Sequence, residues 1–118
     1  MILQIIYNAV LRARDAVFAA CKPGADWRAL HLLANRVVLE DLITAGLLQV
    51  MMMIMMTVMM MTMMQGSVDQ MMEVNLAGRL LQPHGLGHFM GCDVHDVGGY
   101  LEGHPERSSL PGLRSTSI

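Results

Sequence analysis

Imidazole, carboxylate and thiol side chains crowd into one stretch of this 118-residue chain. In Pro83-His84-Gly85-Leu86-Gly87-His88-Phe89-Met90-Gly91 two histidines stand four residues apart, and His95 follows between Asp93 and Asp96, with Cys92 close by. A neutral imidazole nitrogen ligates divalent ions and also moves protons near neutral pH, so metal binding and acid–base work are the chemistries open to this stretch. On a helix, a four-residue spacing would put His84 and His88 on one face as ligands of a single ion. Pro83, Gly85 and Gly87 argue against a helix. On a strand His84, Leu86 and His88 share a face, with roughly 13 Å of extended backbone between the two histidines. One ion cannot bridge that span without a turn, so the spacing favours one histidine as a ligand and the other as a substrate or supporting group.

Each of these residues also has a plainer reading. An isolated histidine is more often a surface or hydrogen-bonded core residue than a ligand. Asp93-Val94-His95-Asp96 reads equally as a solvated turn and as an imidazole whose tautomer a carboxylate fixes. His31, set among Leu30, Leu32 and Leu33, reads as packing, and His104 beside Pro105 as loop.

The elements that must position this stretch come before it. Ile6, Ala9, Val10, Ala13, Val17 and Ala20 recur at three- and four-residue steps, which predicts an amphipathic helix from Ile5 to about Ala20. Lys22-Pro23-Gly24 ends it. Asp26 is placed to cap a second helix, in which Leu30, Leu33, Ala34, Val37, Val38 and Asp41 continue the spacing until Gly46. Ser67 is a candidate cap for a short helix or turn. From Gln82 to Gly103 the glycine-rich composition is that of loop and strand.

Between the helices and the histidines lies an unusual tract. Ten of the fourteen methionines fall in residues 51–64, interrupted only by Ile54, Thr57, Val58 and Thr62. Each interruption is one base away from an ATG codon, so the tract reads as a translated trinucleotide repeat, without the 3.6-residue period of a packed helix. Leu42 to Val68 holds no charged residue and is long enough for a membrane span, a small membrane-inserted protein being the corresponding reading. Acidic flanks (Glu40, Asp41, Asp69, Glu73) and the lack of a Trp or Tyr belt weigh against it. A methionine-rich soft-metal or hydrophobic binding surface is a third reading, disfavoured by the absence of nearby His or Cys.

Composition narrows the classes further. Eight Lys and Arg against ten Asp and Glu give a net charge of −2, with one Trp, two Tyr and two Phe. That leaves no basic stripe for phosphates and few rings for base stacking, so nucleic acid is not an expected partner. Cys21 and Cys92 lack the spacing of a disulfide scaffold or zinc site and read as free thiols in a reducing, cytoplasmic compartment. The first residues show no basic region and no small-residue cleavage site, so no signal peptide is expected. The length suits one domain.

The run Pro83-His-Gly-Leu-Gly-His-Phe-Met-Gly-Cys-Asp-Val-His-Asp-Val-Gly-Gly-Tyr100 resembles the signature stretch of the Xaa-Pro dipeptidase (prolidase) family, pita-bread metallopeptidases that share their fold with Xaa-Pro and methionine aminopeptidases. Ile6-Tyr7-Asn8-Ala9-Val10-Leu11-Arg12 and Lys22-Pro23-Gly24 resemble the helix and turn that precede it. Gly66-Ser67-Val68-Asp69 resembles the segment that follows Gly46-Leu47-Leu48 almost directly in the family. The resemblance covers most of residues 5–114 and marks residues 50–65 as a low-complexity insertion.

It implies an α+β class: an incomplete pita-bread (creatinase/aminopeptidase) fold, with two N-terminal helices followed by the Gly/His-rich strand-loop region. In that family two cations, usually manganese, are held by two Asp, one His and two Glu, and a water bridging them attacks the scissile carbonyl. By position His88 matches the metal-ligand histidine, while His84 and His95 match the histidines that contact substrate and help stabilise the tetrahedral intermediate. The Asp pair belongs before Ile5 and the Glu pair after Arg114. Leu113-Arg114-Ser115 then runs into Thr116-Ser117-Ile118 where the family carries a second arginine for the substrate carboxylate. The expectation is a partial metallopeptidase catalytic domain over 1–118 with one of five metal ligands and no hydrolysis of Xaa-Pro dipeptides by itself. Docking on full-length prolidase is the expected alternative.

Overall fold

A computed structural model of the chain describes residues 1–48, 68–73, 75–96 and 102–103. The first helix, α1, spans Ile2–Ala20, three residues longer at its start than the periodicity predicts. Its buried face is the seam Ala9, Ala13 and Val17, whose small side chains let the next helix approach closely. Ile6 and Val10, equally apolar in sequence, are exposed.

The chain turns at Lys22-Pro23-Gly24, where Ala25 N–H donates to the Lys22 carbonyl at 3.0 Å and Gly24 takes φ +84°, a conformation that glycine adopts without steric cost. Helix α2, Trp27–Thr44, then starts at the expected cap: the Asp26 carboxylate accepts from Arg28 N–H at 2.9 Å. Leu30 and Ala34 pack on the α1 seam, and an Arg12–Asp41 ion pair ties the middle of α1 to the last turn of α2. Arg36 pairs with Glu40 at 3.2 Å on its own helix and with Asp69 at 2.8 Å on helix α3, Val68–Glu73. The Asp69 carboxylate is the first cause of a raised Arg36 pKa. Gly46, at φ +72°, ends the α2 region as predicted.

A second cluster of Leu39, Leu42, Leu48, Met71 and Ala77 joins α2 to α3 and to a π-helical turn at Ala77–Leu81. Asn75, at φ 52°, makes the corner between those last two, a conformation that asparagine tolerates better than most side chains.

The expected strand-loop region needs correcting. Residues 82–96 carry no strand, and every element among the described residues is helical. A strand satisfies its alternating N–H and C=O groups only against a neighbouring strand, and none of the described residues supplies one. The segment turns on itself instead. Asp96 N–H donates to the Phe89 carbonyl and Gly91 N–H to the Asp93 carbonyl, both at 3.1 Å. No helix among the described residues is long and apolar enough to cross a membrane. The methionine tract, the Ser67 cap, His104 and the divergent 113–118 segment lie outside the described residues.

Candidate functional site

Helix α2 is the platform for the histidine segment. Leu86 packs into the α1–α2 cluster beside Trp27 and Leu30. Gly87 lies so close to the indole that a Cβ there would stand 2.8 Å from Trp27 Cζ2. Glycine at 87 is therefore a packing requirement: the rigid ring leaves no room for a methyl group. Gly87→Ala is expected to cost about 1–3 kcal/mol of stability through that overpacking. Trp27 is the chain's one tryptophan, so a shift in its fluorescence emission together with a lowered melting temperature is the expected readout.

The three candidate histidines divide into two places. His84 is exposed, and its Nδ1 hydrogen-bonds the Gly85 carbonyl at 3.0 Å. It approaches His31 on α2 closely enough for its charge to lower the His31 pKa, second in effect to burial. His88 and His95 meet instead across the 89–96 turn, their ring centroids 4.2 Å apart and their planes at 66°. His88 Nδ1 donates to the Phe89 carbonyl at 2.8 Å, which leaves Nε2 as the free lone pair. Gly91 is needed at that turn because the Asp96 carboxylate occupies the space a Cβ would fill.

His31 was legible as packing but not as an unusual group. It is fully buried, and neither ring nitrogen has a hydrogen-bond partner among the described residues. Trp27 Nε1 is buried and unpartnered in the same way. The sequence signal for this was slight: a polar ring within an otherwise leucine-rich face of α2. Cys21 and Cys92 are both free and exposed.

The model of Metallopeptidase family M24 matches residues 2–113. The chain belongs to this family. Among its relatives in the M24 family, the chain is 49% identical over 112 residues to a Xaa-Pro dipeptidase of Rattus norvegicus and 48% identical over 112 residues to one of Homo sapiens. Both alignments cover 95% of this chain and 19% of the relative, so the chain spans about a fifth of the length of the curated relatives it matches. A probable Xaa-Pro aminopeptidase of Tuber melanosporum is 35% identical over 94 residues, covering 80% of this chain and 17% of that protein. The resemblance drawn from the histidine signature thus places the chain in the right family.

M24 metallopeptidases require a divalent metal. Among the described residues no group of three or more His, Cys, Asp and Glu side chains is placed to hold an ion. Of the three candidate histidines, His88 and His95 alone are in ring contact among the described residues. Hard divalent ions take most of their coordination from carboxylate and carbonyl oxygens, so the described residues do not fit a two-ion centre on their own.

Proposed function

We propose that this chain is a segment of an Xaa-Pro dipeptidase catalytic domain: His88 is a ligand to its manganese centre, and His84 and His95 act on the dipeptide substrate. The single observation that carries this reading is the identity to Xaa-Pro dipeptidases over 95% of the chain, histidine signature included. The free Nε2 of His88, left by the Nδ1 bond to Phe89, supports the ligand assignment. Residues 1–118 form a partial domain, cytoplasmic, with residues 50–65 as an insertion. Sequencing the messenger RNA across codons 45–70 tests the insertion: reads that carry the ATG-like repeat support it, and reads that join codons 49 and 66 remove it.

The site assignment is tested by grafting residues 82–103 into a full-length Xaa-Pro dipeptidase in place of its own segment. The chimera is expected to hydrolyse Gly-Pro. His88→Ala in it is expected to lose at least about a hundredfold, since removing a ligand costs more than removing the groups that orient one. A fully active His88→Ala chimera would overturn the assignment. By itself the chain does not hydrolyse dipeptides, because it supplies one of the five ligands that the family resemblance implies.

A second reading is favoured by an apolar groove of about 890 Å³, lined among others by Ile6, Val10, Val17, Phe18, Val38 and Leu86. Its occupant is full-length Xaa-Pro dipeptidase, to whose domain a segment one fifth as long corresponds. Co-expression and pull-down with that protein test it, and Val10→Asp is expected to abolish the capture.

A further inference from the structure

Between His84 and His88 the chain rests on the start of α2. Leu86 packs into the α1–α2 cluster that Trp27 joins, and Gly87 stands against the indole itself. To one side of this contact His84 acts electrostatically on His31, one helical turn along α2 from Trp27. To the other side His88 turns away and meets the ring of His95. We infer that Trp27 is a positioning residue: its indole is the stop against which Leu86 and Gly87 rest, and it fixes where His84 and His88 stand relative to each other. What the two histidines do rests on the dipeptidase reading, whereas where they stand rests on the packing alone.

Three features carry it. The first is the shape of the contact. A Cβ at position 87 would lie 2.8 Å from Cζ2, 3.6 Å from Cη2 and 3.7 Å from Cε2, consecutive atoms of one rigid ring that cannot bend out of the way. The second is how the ring is held. Trp27 is the first residue of α2, directly after the Asp26 cap that accepts from Arg28 N–H, so its backbone is fixed where the helix begins. Its Nε1 is buried without a hydrogen-bond partner among the described residues, so the indole serves as a packing surface and not as a donor. The third is leverage. Gly85, Leu86 and Gly87 are the residues between the two histidines, and a slip of one residue along the ring would move each imidazole by up to about 3.3–3.6 Å. A misplacement of about 1 Å in a reacting group can cost about a hundredfold in rate.

The imidazole proton resonances of the full chain test where the histidines stand. Trp27→Leu keeps an apolar side chain and removes the ring, so the signals of His84 and His88 are both expected to shift. Leu39→Ala, which loosens the cluster joining α2 to α3 and the π turn, is expected to leave them in place. Gly87→Ala is expected to shift the same signals in the parent chain. In the Trp27→Leu background it is expected to add nothing, because the ring that its Cβ would strike is gone. Unmoved signals in a folded Trp27→Leu chain, or additive shifts in the double variant, would overturn the inference. Should Trp27→Leu fail to fold, unmoved signals in Gly87→Ala overturn it by themselves.

The consequence for rate is read in a full-length Xaa-Pro dipeptidase carrying residues 5–49 and 66–103 of this chain in place of its own. At saturating Mn²⁺, Trp27→Leu is expected to lower kcat on Gly-Pro at least about tenfold, while Leu39→Ala keeps the parent kcat whatever it does to melting. Equal kcat in Trp27→Leu and its parent would overturn the positioning role. A parent chimera that does not hydrolyse Gly-Pro would instead overturn the dipeptidase reading and leave the resonances to decide the position.

Discussion

Leu39→Ala is expected to lower the chain's folding stability by about 2–5 kcal/mol. Leu39 is fully buried at the point where α2, α3 and the π turn converge, packed with Leu42, Leu48, Met71 and Ala77. Truncating a leucine in such a place loses its transfer free energy and leaves a cavity that collapses only in part, which costs about 2–5 kcal/mol. A chain this short buries a limited core, and whole domains are stable by only about 5–15 kcal/mol. Each kcal/mol moves the melting temperature of a small domain by roughly 4–8 °C, so circular-dichroism melting should show a fall of about 10 °C or more. Val10→Ala, at an exposed α1 position, is the control and is expected to stay within about 0.5 kcal/mol. Equal melting of the two variants would mean that the second cluster does not hold α3 and the π turn on α2.

The second large effect is an acid limb set by His31. Burial first, and the charge of His84 second, lower its pKa in the folded chain, while in the unfolded chain it titrates near its ordinary value of about 6.5. Between the lowered folded value and 6.5 the unfolded state binds more protons, so stability rises with pH across that interval. The contribution is fully present above about pH 6.5 and is lost as pH falls below it. Melting temperature should therefore be level from about pH 8 to 7 and decline on acidification before the carboxylates titrate. His31→Leu should flatten that decline. It should also stabilise the chain by about 1–3 kcal/mol at pH 7, because two buried, unpartnered nitrogens are replaced by apolar surface. An acid limb that survives His31→Leu would assign the titration to another group.

Much of the helical half of the fold was legible because its signals are local. The Ala9, Ala13 and Val17 spacing, the Lys22-Pro23-Gly24 stop and the Asp26 cap each act within a few residues, and the structure places each where the sequence does. The start of α1 was missed by three residues because Met1 to Gln4 carry no cap signal. Of the strand-loop region expected after Gln82, residues 82–96 show the loop and no strand, for a non-local reason: a strand edge needs a neighbour, and composition cannot say whether one is present. At the candidate site, the sequence picked out His84, His88 and His95 and argued against a shared ion between the first two, but held no signal for the approach of His88 to His95. The structure pairs His88 with His95 through a turn whose closing bonds run from Phe89 to Asp96. Relations that span more than fifty residues, the packing of Gly87 on Trp27 and the electrostatic influence of His84 on His31, left no periodic trace.

The most direct test of the account is hydrolysis of Gly-Pro by the purified 118-residue chain with excess Mn²⁺, measured beside His88→Ala as the blank. The expected rates are indistinguishable between the two, since among the described residues no group of three or more His, Cys, Asp and Glu side chains is placed to hold an ion. Turnover clearly above the blank, and abolished by His88→Ala, would contradict it and show that these residues complete a working centre by themselves.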